Sequence, residues 1–207
     1  MLGRFLTFEG GEGSGKSTLI RGVAEALQGQ GRTLVVTREP GGTPLAETLR
    51  TLLLQPEPGS EPDPWTQALI VNAARHDHLQ RLIRPALVSG KWVLSDRFAD
   101  STRAYQGVGG LNMQDLLALE ARVLGQTHPD LTIILDAPPE TLLERRAARG
   151  ASGDTFEDEP LAFHQKIRER FLEIAETDPN RYVVLDARDH PESLVQQVMA
   201  LIEERFV

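Results

Sequence analysis

The chain has 207 residues, 40% of them hydrophobic, enough for one substantial core and short for two full domains, so a single domain is expected. Its net charge of −8 lacks the basic field that holds a phosphate backbone, so polymeric DNA or RNA is not an expected partner. There is no cysteine for a disulfide or thiolate zinc site, no apolar run near the ~20 residues that span a bilayer, and no signal-peptide pattern, so a soluble cytoplasmic protein is expected.

The first predicted strand, 5–9, runs directly into Gly10-Gly11-Glu12-Gly13-Ser14-Gly15-Lys16-Ser17-Thr18, which fits G-x-x-x-x-G-K-[ST]. Glycines let such a loop curl its N–H groups around phosphate oxygens, and the helix predicted over 17–27 adds its partial positive charge. Lys16 is then expected to reach the β- and γ-phosphates of a nucleotide, with Ser17 ligating Mg²⁺. A strand at 33–37 and a helix at 45–54 follow. The Pro- and acid-rich stretch 55–63 reads as a surface loop before a long helix at 64–82, on which His76 and His78 are expected to be solvated. Next come a strand at 92–96, a helix at 112–124, a strand at 131–136 and a helix at 139–149. A polar insertion covers 150–159, and a helix at 160–175, a strand at 182–186 and a helix at 191–205 complete the pattern.

Apolar β-rich runs alternating with helices predict an α/β fold, a doubly wound five-stranded parallel sheet with helices on both faces. Right-handed crossovers put the ligand at the carboxyl ends of the strands, where these motifs fall. No N-K-x-D motif, D-x-x-G switch, second loop lysine or LSGGQ signature accompanies the cradle, so a GTPase, a partitioning-type ATPase and a transporter ATPase give way to a small-molecule kinase. Transfer between two anions needs neutralised charge and aligned oxygens. Arg97, just beyond a buried strand ending at Asp96, offers a permanently charged fork beside the loop. Asp96 resembles the second acidic motif of P-loop enzymes and is expected to hold Mg²⁺ through water. Asp136 and Asp186 also end strands and are expected to cap the helices that follow.

These residues resemble the thymidylate kinase family almost end to end. The resemblance is carried by Glu9 to Glu12, Thr37-Arg38-Glu39-Pro40-Gly41-Gly42-Thr43, Leu45-Ala46-Glu47 with Arg50, Ala73-Ala74-Arg75, Asp96-Arg97-Phe98, and Ser101-Thr102 before Ala104-Tyr105-Gln106-Gly107. It implies an ATP-dependent phosphotransferase that converts dTMP to dTDP for dTTP synthesis, with Mg²⁺, in a homodimer. It further implies an acceptor site of Glu12, Pro40, Arg50, Val71, Arg75, Arg97, Ser101, Thr102, Tyr105 and Gln106. Within it, Arg50 and Arg97 bind the dTMP phosphate, Arg75 meets thymine O4, Thr102 and Gln106 bond the base, and Tyr105 packs on the deoxyribose. Glu12, inside the cradle where a carboxylate should repel phosphate, is implied to position the acceptor sugar, Mg²⁺ or a lid arginine. Glu9 is expected to order the loop from the strand end. A non-catalytic nucleotide-binding or switch module and a kinase with altered base preference are the alternatives.

Two positions depart from the family pattern. Val71 stands where the family usually has an aromatic ring on thymine, so Phe98 or Trp65 is a candidate to lean in. In the lid segment at about 150–159, Asp154-Thr155-Phe156-Glu157 replaces Asp-Arg-x-Glu. The missing catalytic arginine at Thr155 leaves Arg145, Arg146 and Arg149 as substitutes, with Arg149, nearest the glycine hinge of Gly150 and Gly153, the best placed.

Overall fold

In the computed structural model, residues 3–148, 156 and 159–206 are described. Five strands, β1 (Phe5–Gly10), β2 (Leu34–Arg38), β3 (Trp92–Asp96), β4 (Leu131–Asp136) and β5 (Tyr182–Asp186), form one sheet in the order β2-β3-β1-β4-β5, every pair parallel. Every residue of β1 is buried, whereas the edge strand β2 exposes Val36 and Arg38 and the edge strand β5 exposes Val184. The chain fills one side of β1 through β2 and β3, then crosses to β4 and β5. The carboxyl end of β1 is therefore where the winding reverses and a crevice opens.

Period-two alternation divides β1 between two core layers. Leu6 and Phe8 face α1 (Lys16–Gly29) and α9 (Pro191–Phe206), where Leu19, Val23, Val198 and Ile202 close over them. Phe5 faces the opposite layer and meets Phe98 edge-on at 4.9 Å. Thr7 and Glu9 stand buried among β1's polar positions. The Thr7 hydroxyl meets that of Thr132 on β4 at 2.8 Å, while Glu9 is committed to the site.

The helix starts follow from local chemistry. Thr43 caps α2 (Pro44–Leu54) by accepting from the Ala46 N–H, and Asp63 caps α3 (Pro64–His78) by accepting from the N–H groups of Trp65 and Thr66. Each helix carries Pro at its first position, where no intrahelical donor is lost. The helix predicted to stop at 82 instead passes through one π-helical turn, Leu79–Ile83, into α4 (Arg84–Val88). That turn re-registers the helix just ahead of Pro85, which lacks an N–H to donate.

The sequence pattern missed α5 (Ala99–Val108), whose inward positions include the polar Asp100, Thr102 and Gln106. The remaining helices are α6 (Met113–Leu124), α7 (Pro139–Ala148) and α8 (Leu161–Glu176), close to their predicted spans. Asp136 and Asp186 do not act as the expected caps. Asp136 receives a two-pronged bond from Arg168 at 2.7 and 2.8 Å, and Asp186 accepts the Arg188 N–H at 2.9 Å together with its guanidinium. Among the described residues, no helix is long and apolar enough to cross a membrane.

Candidate active site

The cradle lies between the last residue of β1 and the first turn of α1. Gly10 has φ of 126°, and a Cβ there would sit 2.4 Å from the carbonyl oxygen of Leu135, so only glycine lets β1 turn this close to β4. The Ser14 N–H closes on the Gly11 carbonyl, and those of Thr18 and Leu19 close on the Gly15 carbonyl. Lys16 is buried with its ammonium over the loop, donating to the carbonyls of Gly10 and Gly11 at 3.1 and 3.0 Å. Burial and the neighbouring Arg97 charge lower its pKa. Ser17 Oγ donates to Asp96 Oδ2 at 3.0 Å, joining the loop hydroxyl to the β3 carboxylate. The other Asp96 oxygen, Oδ1, is buried and finds no hydrogen-bond donor among the described residues. A buried anionic oxygen left in this state suits a hard cation such as Mg²⁺. No cluster of three or more His, Cys, Asp or Glu suited to a metal occurs among those residues, so any ion here would rely on Ser17, Asp96 and the nucleotide phosphates.

The ten residues expected around the acceptor line one cleft, from Pro40 and Arg50 on the α2 side, past Val71 and Arg75 of α3, to Arg97, Ser101, Thr102, Tyr105 and Gln106 at α5, with Glu12 at its mouth. Arg97 has φ of 67°, a left-handed backbone that is strained for a side chain of this size. The Phe8 carbonyl holds its N–H, and the Ser95 hydroxyl donates to its carbonyl. Its guanidinium donates to Ser101 Oγ at 2.9 Å and the Tyr105 hydroxyl at 3.1 Å, and pairs with Glu12. Burial opposes the Arg97 charge, but Glu12, Tyr105 and Glu9 outweigh it and hold its pKa well above the usual value. Against its own burial, Glu12 is held down to about 2 by Arg97, Lys16 and Arg50. Glu9 orders the start of α5, accepting from the Phe98 N–H at 2.8 Å and the Ser101 hydroxyl at 2.6 Å. Burial and the Asp100 carboxylate push its carboxyl up to about 7.

Deeper in the cleft, Arg75 is 1% exposed, and its guanidinium donates to Glu39 at 2.7 Å, the Phe98 carbonyl at 3.0 Å, Thr102 at 2.9 Å and Asn72 at 3.3 Å. Arg50 donates to the Pro40 carbonyl at 2.9 Å, and Gln106 donates to Gln67 at 3.1 Å. Of the two rings considered beside Val71, Phe98 lines the cleft and Trp65, 42% exposed, does not. Phe156 also lines it, edge-on to Tyr105 at 5.3 Å. The sequence reading missed Glu39, His78 and Phe156 as parts of this site. His78, expected in solvent, is fully buried against Glu39 and Thr37. Its spacing of seven from Val71 and three from Arg75 on one helix carried that information.

Beyond Glu12, a second cavity opens between the loop, the end of β4, α7 and α8, lined by Gly11, Leu142, Arg146, His164 and Arg168. Burial and the charge of Arg146 lower the pKa of His164, whose Nε2 finds no partner among the described residues. Arg145 donates to the Ala187 carbonyl at 2.8 Å. Arg149 and Thr155 lie outside the described residues.

The family model described as thymidylate kinase matches residues 8–198. The chain is 48% identical to a thymidylate kinase of Caulobacter vibrioides over 99% of its length and 98% of the relative. It is likewise 48% identical to one of Alcanivorax borkumensis, with the same coverage. To one of Nitrobacter winogradskyi it is 50% identical, over 98% of this chain and 89% of the relative.

Proposed function

The chain belongs to the thymidylate kinase family, and from that premise we propose that it transfers the γ-phosphoryl group of ATP to dTMP through the residues just described. A phosphate oxygen of dTMP forms the new P–O bond while the bond from the γ-phosphorus to the β,γ-bridging oxygen breaks, giving dTDP and ADP. The observation that carries this reading is the Glu12–Arg97 pair, which stands between the phosphate cradle and the cleft, within reach of both.

In this reading the loop N–H groups and Lys16 hold the donor phosphates, and Lys16 offsets charge as the bond to the leaving group lengthens. Arg97 and Arg50 take the acceptor phosphate, with Glu12 keeping the Arg97 fork in one orientation. Tyr105 packs on the deoxyribose and fills the volume a 2′-hydroxyl would need. Arg75 reads O4 of the base, with Thr102 and Gln106 on its other polar edge. Ser17 and Asp96 would hold Mg²⁺, a choice supported by the unsatisfied Asp96 Oδ1. When bound, that ion supplies charge neutralisation at the phosphoryl oxygens. We further read the chain as one kinase domain with a lid at about 150–159, acting as a cytoplasmic homodimer where ATP and dTMP are both at hand.

A coupled assay for ADP tests the proposal. ADP formation should require dTMP and fall sharply with UMP or CMP. ADP released at the same rate without an acceptor, or none with dTMP present, would overturn it.

A further inference from the structure

A buried polar chain behind the cleft takes no part in the transfer. His78 of α3 is fully buried, with Nε2 2.7 Å from Thr37 Oγ1 on β2 and Nδ1 3.0 Å from Glu39 Oε1. The other Glu39 oxygen accepts the Nε–H of Arg75 at 2.7 Å. A carboxylate oxygen accepts, so the Nδ1–H of His78 donates to Glu39, while Nε2 shares the other bond with the Thr37 hydroxyl. The Glu39 carboxylate thus lies between the imidazole and the Arg75 guanidinium, and the buried polar side-chain atoms of these four residues all have partners. Gly42 covers it from outside. A Cβ there would lie 2.5 Å from both His78 Nε2 and Thr37 Oγ1.

This chain fixes the plane of one guanidinium. Two bonds from Nη2, one from Nη1 and one from Nε engage four of the five N–H groups of Arg75, leaving one Nη1 hydrogen without a partner among the described residues, on a side chain that lines the cleft. Where that hydrogen points depends on the plane, the plane depends on Glu39, and the second Glu39 oxygen is held by His78.

We propose that Glu39 and His78 are positioning residues for base recognition. They hold the Arg75 plane so that its remaining donor meets an oxygen at the pyrimidine 4-position and opposes an amino group there. The inference rests on Arg75 as the base reader.

The test compares kcat/KM for dTMP, dUMP and dCMP in the wild type, His78→Leu, His78→Asn, Glu39→Gln and Arg75→Ala, with thermal unfolding of each. Where dCMP turns over too slowly, its inhibition constant against dTMP replaces the rate. Removing the His78 donor in His78→Leu should lower the dTMP:dCMP preference roughly three- to tenfold through KM for dTMP. The dTMP:dUMP ratio, between two 4-oxo bases, should hold, as should KM for ATP. His78→Asn, whose amide keeps a donor near the Nδ1 position, should recover most of the preference.

A parallel fall for all three nucleotides, or His78→Asn no better than His78→Leu, would overturn the proposal. If His78→Leu does not fold, His78→Asn and Glu39→Gln decide it, the first keeping the preference and the second losing it. An unchanged dTMP:dCMP ratio in Arg75→Ala would remove the base-reading role itself. Loss of that ratio in Arg75→Ala, while Glu39→Gln and His78→Leu keep it, would sink only the positioning role.

Discussion

The acceptor cleft and the cavity between the loop, α7 and α8 share Glu12 as a wall, yet different cations line them. In the cleft, Arg75 is tied to four groups, and Arg97 is braced by Ser101, Tyr105 and Glu12. In the cavity, Arg146 and His164 line a mainly apolar wall, and the only two-pronged ion pair drawn there among the described residues joins Arg168 to Asp136. Reading a base needs donors fixed before the ligand arrives, because a donor free to turn would follow either pyrimidine. Neutralising a phosphoryl group in flight is a different task, for which charge must match the transition state more closely than the ground state. In the proposed reading, a recognition side of firmly tied donors thus adjoins the transfer side at Glu12.

The most damaging break on the transfer side should be Lys16→Ala. Among the described residues its ammonium bonds loop carbonyls and a hydroxyl, so the fold should survive by circular dichroism. Turnover should drop by roughly 10³-fold or more as the main neutralising charge disappears. More than about a tenth of wild-type turnover would mean that the cradle is not where transfer occurs.

The acceptor side carries a buried carboxyl, Glu9, whose pKa of about 7 gives its rigidity a pH signature. The folded chain holds this proton more tightly than the unfolded chain does. The stability it contributes is therefore complete below about pH 4.5 and is lost as pH rises through about 7. Glu9→Gln should abolish that decline, gaining on the wild type by on the order of 2 to 3 kcal/mol between pH 4.5 and 8. Denaturant unfolding at both pH values checks this, and a pH-independent difference would show that Glu9 stays ionised throughout.

Removing the lid charge should cost on the order of 10²-fold in kcat with KM nearly unchanged. Arg149→Ala is expected to show it, with Thr155→Arg restoring part of the loss. Arg145→Ala should instead lower stability, since that side chain serves the Ala187 carbonyl. A kcat collapse in Arg146→Ala with normal Arg149→Ala kinetics would move the charge to the cavity beside Glu12.

What the sequence disclosed follows the same division. Strand positions came from apolar runs and fall within a residue of those observed, because a sheet buried on both faces leaves that mark. The cradle was legible because its chemistry is local in the chain. α5 was not, since its buried positions include the polar Asp100, Thr102 and Gln106, which blur helical periodicity, and Thr102 and Gln106 are there to line the cleft. The roles of His78 and Glu39 were hidden for a related reason. Their partners lie 39 and 36 residues apart in sequence, and only the fold brings the end of α3 beside the turn that follows β2.

The smallest expected effect concerns Val71, which lines the rigid side without hydrogen-bonding to it. It is 6% exposed and shares the cleft with Phe98, so an aliphatic surface stands where a ring could lie along the base. Val71→Phe should add a stacking contact worth about 1 kcal/mol, lowering KM for dTMP roughly fivefold. The added contact touches the base and not the reacting phosphate, so it should be equal in ground and transition states and leave kcat unchanged. The dTMP:dCMP preference should also hold, because both pyrimidines offer a face to stack on. A higher KM would mean that the pocket is already filled by Phe98 and Val71 together, and that the larger ring displaces the base from Arg75. A change in base preference would show that the Arg75 plane yields to its neighbours and that this side is not rigid.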